Sequence, residues 1–216
     1  MGDIFREIDE ELRQDRLEKL WKAYGKYAIA GAVVLVLAVA AFRGWQEYRV
    51  KQRVAESGQY MAAIALMTDG KDKEAADLFA AIAGKAGDTY GALARFQQAA
   101  LKAKAGDAAG AIALYDGLAR DDSLTRPLRD AALLLAVMHA MDRPDADAKA
   151  LSARLDPLLA DNGPWRSSAS ELAGLLALKS GDAAKARERF KAIADDTEAP
   201  PNIRARATEI LAVIGS

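Results

Sequence analysis

Cysteine is absent from the 216 residues, and histidine occurs once, at His139. With no thiol and a single imidazole, transition-metal ligation has almost no material. The missing cysteine does not choose a compartment, since a domain outside the cytoplasm without disulfides is stable from packing alone. No Gly-rich phosphate loop and no Gly-x-Ser-x-Gly elbow occurs. An excess of either charge is missing too: 30 Lys and Arg stand against 31 Asp and Glu. That balance gives no reason to expect nucleic acid or a strongly anionic partner. We therefore expect no enzyme, no small-molecule substrate, no cofactor, and no catalytic or metal-binding residues. Proline and glycine are sparse within long segments, alanine is heavily used, and β-branched residues gather mainly in one run. That composition favours helix throughout, and the expected fold class is all-α.

The one long apolar run is Tyr27 to Phe42, YAIAGAVVLVLAVAAF, closed by Lys26 and Arg43. A helix of that length measures about 24 Å, short of the ~30 Å hydrocarbon core of a bilayer. The flanks close the gap. Trp21, Tyr24 and Tyr27 precede the run, and Trp45 and Tyr48 follow it. These aromatics favour the headgroup zone, while Lys22, Lys26 and Arg43 reach past it to water. A single transmembrane helix is expected over residues 25–45. A buried core helix would not normally carry aromatic residues on both flanks. A cleaved signal peptide is the other reading, because Ala38-Val39-Ala40 matches the small-x-small cleavage pattern. Against it, the leading region is 26 residues long and carries seven acids. Cleavage after Ala40 stays open at this point.

Residues 1–24 form the tail. Acids dominate its first half and bases its second, which suits a helix dipole. Ile4, Phe5, Ile8, Leu12, Leu17, Leu20 and Trp21 recur at helical spacing, so the tail reads as an amphipathic helix. It is either a solvated lead-in or a segment lying on lipid or on a partner. Six cations up to Lys26 against four in the twenty residues after the run favour a cytoplasmic tail by a small margin. The remaining domain, residues 46–216, would then lie outside the cytoplasm, which in a bacterium means the periplasm.

That domain contains an internal repeat. Gly70, Gly106 and Gly181 are each followed by Ala at five residues (Ala75, Ala111, Ala186), an aromatic at nine (Phe79, Tyr115, Phe190), Ile or Leu at twelve and Ala at thirteen. The first two glycines are 36 apart and the third lies 75 further on, so a degenerate unit is expected between them, at Pro144 to Leu159. The glycine ends one helix in a left-handed conformation, and the neighbouring Asp, clear in two copies, caps the next. The alanine allows close approach, and the aromatic on the same face fills the space between helices. One hairpin cannot bury such a face alone, so hairpins stack into an α-solenoid. The expected hairpins are 46–68 with 71–85, 89–104 with 107–120, 125–141 with 145–161, and 165–179 with 182–196. A capping helix is expected at 201–214.

These residues resemble the tetratricopeptide repeat, a helix–turn–helix unit. Its pattern also places a small residue seven before the glycine, met here by Ala63, Ala99 and Gly174. Gly87, Ser123 and Glu198 stand where that family often has proline, and the unit is slightly long. The whole layout of charged tail, anchor, Arg43-Gly44-Trp45 exit with Tyr48, and tetratricopeptide-like domain resembles the YfgM-like family, the ancillary subunit of the SecYEG translocon. The opening DIFREIDEELRQDRLEKLWKAYG is similar to its alphaproteobacterial branch. The resemblance implies an inner-membrane protein with a periplasmic domain, associated with the translocon and with periplasmic chaperones such as the PpiD foldase. Two other readings stay open: a scaffold for an envelope or division assembly, and a regulator whose cytoplasmic tail sequesters a soluble protein.

Four remaining features carry structural readings. His139, within LLLAVMHAMD, is expected to be packed or partly exposed. Asp121-Asp122 and Asp195-Asp196 each follow a second repeat helix and read as polar loop residues rather than a Ca²⁺ site. Trp165, beside Pro164, is expected to pack at a helix start. Partner-binding residues are not singled out, because exposed positions on repeat helices are not ranked by one sequence.

Overall fold

The computed structural model describes residues 2–84, 89–160 and 162–215. It divides into two compact units, Met1–Ala55 and Glu56–Ser216. Among the described residues every regular element is an α-helix.

The first unit is built from helix α1 (Gly2–Thr68), whose last residues belong to the second unit. No proline occurs before Pro127, so nothing removes a backbone donor along this length. The expected two-sidedness of the tail rests mainly on the side chains of residues 4–17, which are not among the described side chains, while Leu20 and Trp21 are exposed.

The second unit stacks helical hairpins. The end of α1 pairs with α2 (Asp72–Ala83), and α3 (Thr89–Lys104) with α4 (Ala108–Ala119). Next, α5 (Arg126–Met141) pairs with α6 (Ala148–Arg154), which α7 (Asp156–Ala160) continues against α8. Then α8 (Arg166–Lys179) pairs with α9 (Ala183–Asp195), and α10 (Pro201–Ile214) closes the stack against α9. The second helix of each hairpin also packs on the first helix of the next.

The repeat glycines do what their spacing predicts. Gly70, Gly106 and Gly181 have φ of 76°, 85° and 80°, the positive values among the described residues. Each sits in the same pair of backbone bonds. Lys71 N–H donates to the Leu66 carbonyl and Gly70 N–H to Met67; Asp107 to Lys102 and Gly106 to Ala103; Asp182 to Ala177 and Gly181 to Leu178. This pairing satisfies the last carbonyls of the preceding helix while turning the chain. Asp107 and Asp182 then cap the next helix, accepting from Gly110 N–H at 2.8 Å and Lys185 N–H at 3.0 Å.

The core follows the same rule. Ala75 and Phe79, Ala111 and Tyr115, and Ala186 and Phe190 are all buried, with Ile82, Leu118 and Ile193 beneath them. Ala63, Ala99 and Gly174 each lie five residues before the end of their helix and are buried.

The third hairpin departs from the repeat. Ala146 stands before the capping Asp147, and the turn there has no positive φ. Asp147 caps α6 through Lys149 and Ala150 N–H, both at 3.0 Å. From that cap, Leu151, Leu155, Leu158 and Leu159 fall where the other units carry Ala, aromatic, Ile or Leu, and Ala. Two leucines thus replace a small and a large residue, and Leu151, Leu155 and Leu158 are buried. Ala136, five residues before the end of α5, takes the small position and is buried. The single helix expected at 145–161 is instead two, α6 and α7, separated at Leu155. Pro157 accounts for the break: it has no N–H for the Ala153 carbonyl, and its ring would clash with that group.

Polar ties run between hairpins. Lys104 Nζ pairs with Asp72 at 2.6 Å, and Arg154 pairs with Asp116. Lys179 donates to the Met141 carbonyl, and Arg187 Nη2 to the Ile214 carbonyl at 2.6 Å. Exposed pairs of this kind contribute about 0–1 kcal/mol each, so the apolar stack dominates cohesion.

Candidate interaction surfaces

In the first unit the apolar run is laid bare. Every large apolar side chain from Tyr27 to Phe42 is more than half exposed, from 52% at Val33 to 66% at Leu35. A helix that is apolar all round suits a lipid environment or a core, and among the described residues no core covers this run within its unit. The helix is long and apolar enough to cross a membrane, with a mean hydropathy of 2.0 over its most apolar window. Both ends of the run carry an aromatic ring beneath a cation. Lys26 Nζ lies 5.1 Å from the Tyr27 ring centre, and the Arg49 guanidinium 5.3 Å from that of Trp45. Gly25 is buried beneath Trp21, whose ring would stand 3.1 Å from a Cβ there. Tyr27 and Trp45 are eighteen residues apart, about 27 Å of helix, close to the hydrocarbon thickness. Ala38-Val39-Ala40 lies inside α1.

In the second unit the hairpin stack leaves clefts between neighbouring units. A cleft of about 470 Å³ opens between α6 and the α8–α9 turn, with Lys149, Ser152, Asp156, Ser180 and Lys185 on its walls and Leu176 in its lining. It lies where the third hairpin's second helix is cut short. Two smaller clefts, of about 130 Å³ and 430 Å³, share Arg166, Ser167 and Asp196 at the start of α8 and the end of α9. Their walls mix guanidinium, hydroxyl and carboxylate groups with small apolar side chains.

The residues singled out in the sequence take structural places. Asp121 accepts from Arg95 Nη2 at 2.7 Å and from Ser123 Oγ at 2.6 Å. The Ser123 hydroxyl, then Arg95, hold its carboxyl down at about 2. Asp122 pairs with Arg129. Asp196 accepts from Glu198 N–H at 2.9 Å. Among the described residues no group of three or more Asp, Glu or His is placed to hold a metal ion. Trp165 precedes the first turn of α8 and donates from Nε1 to the Pro127 carbonyl at 2.8 Å. His139 lies parallel to Tyr115, with ring centres 5.6 Å apart and planes 4° apart. That stack, the Arg49–Trp45 contact and the cleft residues carry no motif, since each depends on which helices meet or which side chains lean together.

The geometry defines a class: stacked tetratricopeptide-like hairpins in a chain that also carries an exposed apolar helix. The profile described as the tetratricopeptide repeat-like domain matches residues 18–209, and the chain belongs to that family. Among solved structures it is similar to a protein from Podosopora anserina, described as a kinesin light chain with nearly identical TPR-like repeats. Two structures of that protein are similar to this chain at 15% and 14% identity, with TM-scores of 0.56 and 0.55. Each match covers 73% of this chain and 83% of the other. At that identity the likeness is one of fold. No curated protein matches the chain. The family's repeat fold is typically a non-enzymatic protein-interaction scaffold, and no catalytic family is indicated.

Proposed function

We propose that the chain is a membrane-anchored protein-interaction module. Residues 25–45 span the bilayer once, residues 1–24 form a cytoplasmic tail, and residues 46–216 present the repeat surface. The observation that carries this reading is the exposed run from Tyr27 to Phe42, bracketed by Lys26–Tyr27 and Trp45–Arg49, in a chain with a tetratricopeptide-like domain. Resemblance to the YfgM-like family supports a finer reading. The repeat domain lies in the periplasm at a bacterial inner membrane, ancillary to the SecYEG translocon and to periplasmic chaperones such as the PpiD foldase.

The test is recovery of the chain from detergent-solubilised membranes under conditions that preserve the translocon. Translocon or chaperone subunits in the eluate support the reading, and their absence counts against it. For topology, a reporter enzyme active only in the periplasm is fused to the C-terminus. Activity there is expected, and activity of a cytoplasm-only reporter would overturn the orientation. A morphology defect on deletion, without a secretion or folding defect, would favour an envelope scaffold instead. Capture of a soluble protein by residues 1–26 alone would favour a tail-borne regulator.

A further inference from the structure

We propose that Trp45, Arg49 and Arg53 form a lipid-binding stripe that holds the phosphate of an anionic phospholipid headgroup beside the end of the apolar run. The inference rests on the membrane-spanning reading and adds to it a specific ligand chemistry. The three residues are spaced at i, i+4 and i+8, which places them along one helix face. Tyr48 and Gln52 flank that face, and Trp45, Arg49 and Arg53 are exposed along it. Glu47 lies on the opposite side of the helix and is held by Lys51 at 2.9 Å, while Glu56, three residues from Arg53, lies on the stripe's own face. One turn beyond Arg53, Glu56 is buried within the second unit.

Helix polarity makes this flank unlike the other. Side chains on an α-helix lean toward its N-terminus. After the apolar run, that lean points Arg49 and Arg53 back toward the bilayer; before the run, it points Lys22 and Lys26 away from it. The Arg49 guanidinium over the Trp45 ring is this lean realised over one turn. Trp45 sits at the headgroup level, with Arg49 about 6 Å and Arg53 about 12 Å further along the axis. The polar layer on each side of a bilayer is several ångströms deep, so the two guanidiniums bracket it. A planar guanidinium binds phosphate through two parallel N–H donors. A stacked one also has its orientation fixed before lipid arrives.

The test uses the full chain in bilayers, with Trp21→Phe and Trp165→Phe so that Trp45 is the sole tryptophan. Quenching of Trp45 fluorescence is compared between brominated phosphatidylglycerol and brominated phosphatidylcholine. A preference for the anionic lipid on the order of fivefold is expected. It should fall to near one in Arg49→Gln/Arg53→Gln and persist in Arg43→Gln, which lies off the stripe. Equal quenching by both lipids would overturn the stripe while leaving the span intact. An anionic preference surviving the double substitution would overturn it as well. Absence of quenching by either lipid would mean that Trp45 is not at a bilayer, and the spanning reading would fail with it.

Discussion

Gly174 and Phe190 meet so closely that a Cβ on the glycine would stand 2.8 Å from the Phe190 Cζ. The first helix of the last hairpin rests on the aromatic ring of the second without a side chain between them. In the first two hairpins the same position holds Ala63 and Ala99, opposite Phe79 and Tyr115.

The contact predicts the effect of filling it. Alanine at 174 would gain about 1 kcal/mol in helix propensity, against an overpacking cost of about 1–3 kcal/mol. Valine adds more volume and a stiffer χ1 without that propensity gain. Gly174→Val is therefore expected to lower stability by about 2 kcal/mol or more, and Gly174→Ala by less. Thermal unfolding of the full chain in detergent, followed by circular dichroism, checks the order. A Gly174→Val chain as stable as the parent would show that the contact relaxes freely.

The three glycine turns were legible because each needs a left-handed residue at a fixed distance from the next buried alanine. Gly70, Gly106 and Gly181 therefore announce both the end of one helix and the register of the following one. The third hairpin was legible only in outline. Its turn uses Ala146, and its packing pair is Leu151 and Leu155, which keep apolar volume but erase the small-then-aromatic pattern. Contacts such as Trp165 Nε1 to the Pro127 carbonyl and Lys179 to the Met141 carbonyl join residues 38 apart. They depend on the pitch of the stack, which no local spacing encodes. The interaction surfaces were illegible for the opposite reason: exposed side chains are under no packing rule that a single sequence displays.

Leu155 tests whether the leucine pair is a true substitute for the repeat pair. It is fully buried at the break between α6 and α7. Leu155→Ala is expected to cost about 2–5 kcal/mol by leaving a cavity. Leu151→Ala combined with Leu155→Phe restores the pattern of the other hairpins. That pair should cost less than the sum of its single substitutions, because neighbouring changes that conserve volume compensate. Strict additivity in denaturant unfolding would show that the third hairpin packs by a different rule.

Asp121 gives a prediction in pH. Hydrogen bonds from Ser123, then Arg95, depress its carboxyl from an ordinary 3.8 to about 2. A depressed carboxyl contributes stability that is fully present above its unfolded value and is lost as pH falls through its folded value. The Asp121 contribution should therefore hold above about pH 4 and disappear as pH falls to about 2. Asp121→Asn should flatten that part of the melting-temperature profile. Ser123→Ala should move the loss to higher pH. An unchanged profile in Asp121→Asn would assign the acid transition to other carboxylates.

The turn at Gly106 ties backbone geometry to the repeat. At φ of 85° an L side chain is strained, by roughly 1–2 kcal/mol. Gly106→Ala should lose that much, although alanine is the better helix former. Asp107→Ala, one residue on, should lose about 0.5–2 kcal/mol by freeing the Gly110 N–H. Both are measured by the midpoint of denaturant unfolding. A stabilised Gly106→Ala chain would mean that the turn adopts another conformation at little cost.

The apolar run is short enough for its insertion to be sensitive to charge. Leu35, near its middle, is 66% exposed, as a lipid-facing side chain would be. A lysine at the centre of a spanning helix costs about 2.5–3.5 kcal/mol of insertion free energy. Tilting gives a sixteen-residue run little relief, because it has no apolar length to spare. Leu35→Lys with Val36→Lys should therefore move much of the chain from the membrane pellet to the soluble fraction after alkaline extraction. The same double change should leave the repeat unit, Glu56–Ser216, folded by circular dichroism, because neither residue belongs to that unit. Retention of the doubly charged chain in the pellet would show that another segment holds it there, and the exposed run would need a protein partner rather than lipid to cover it.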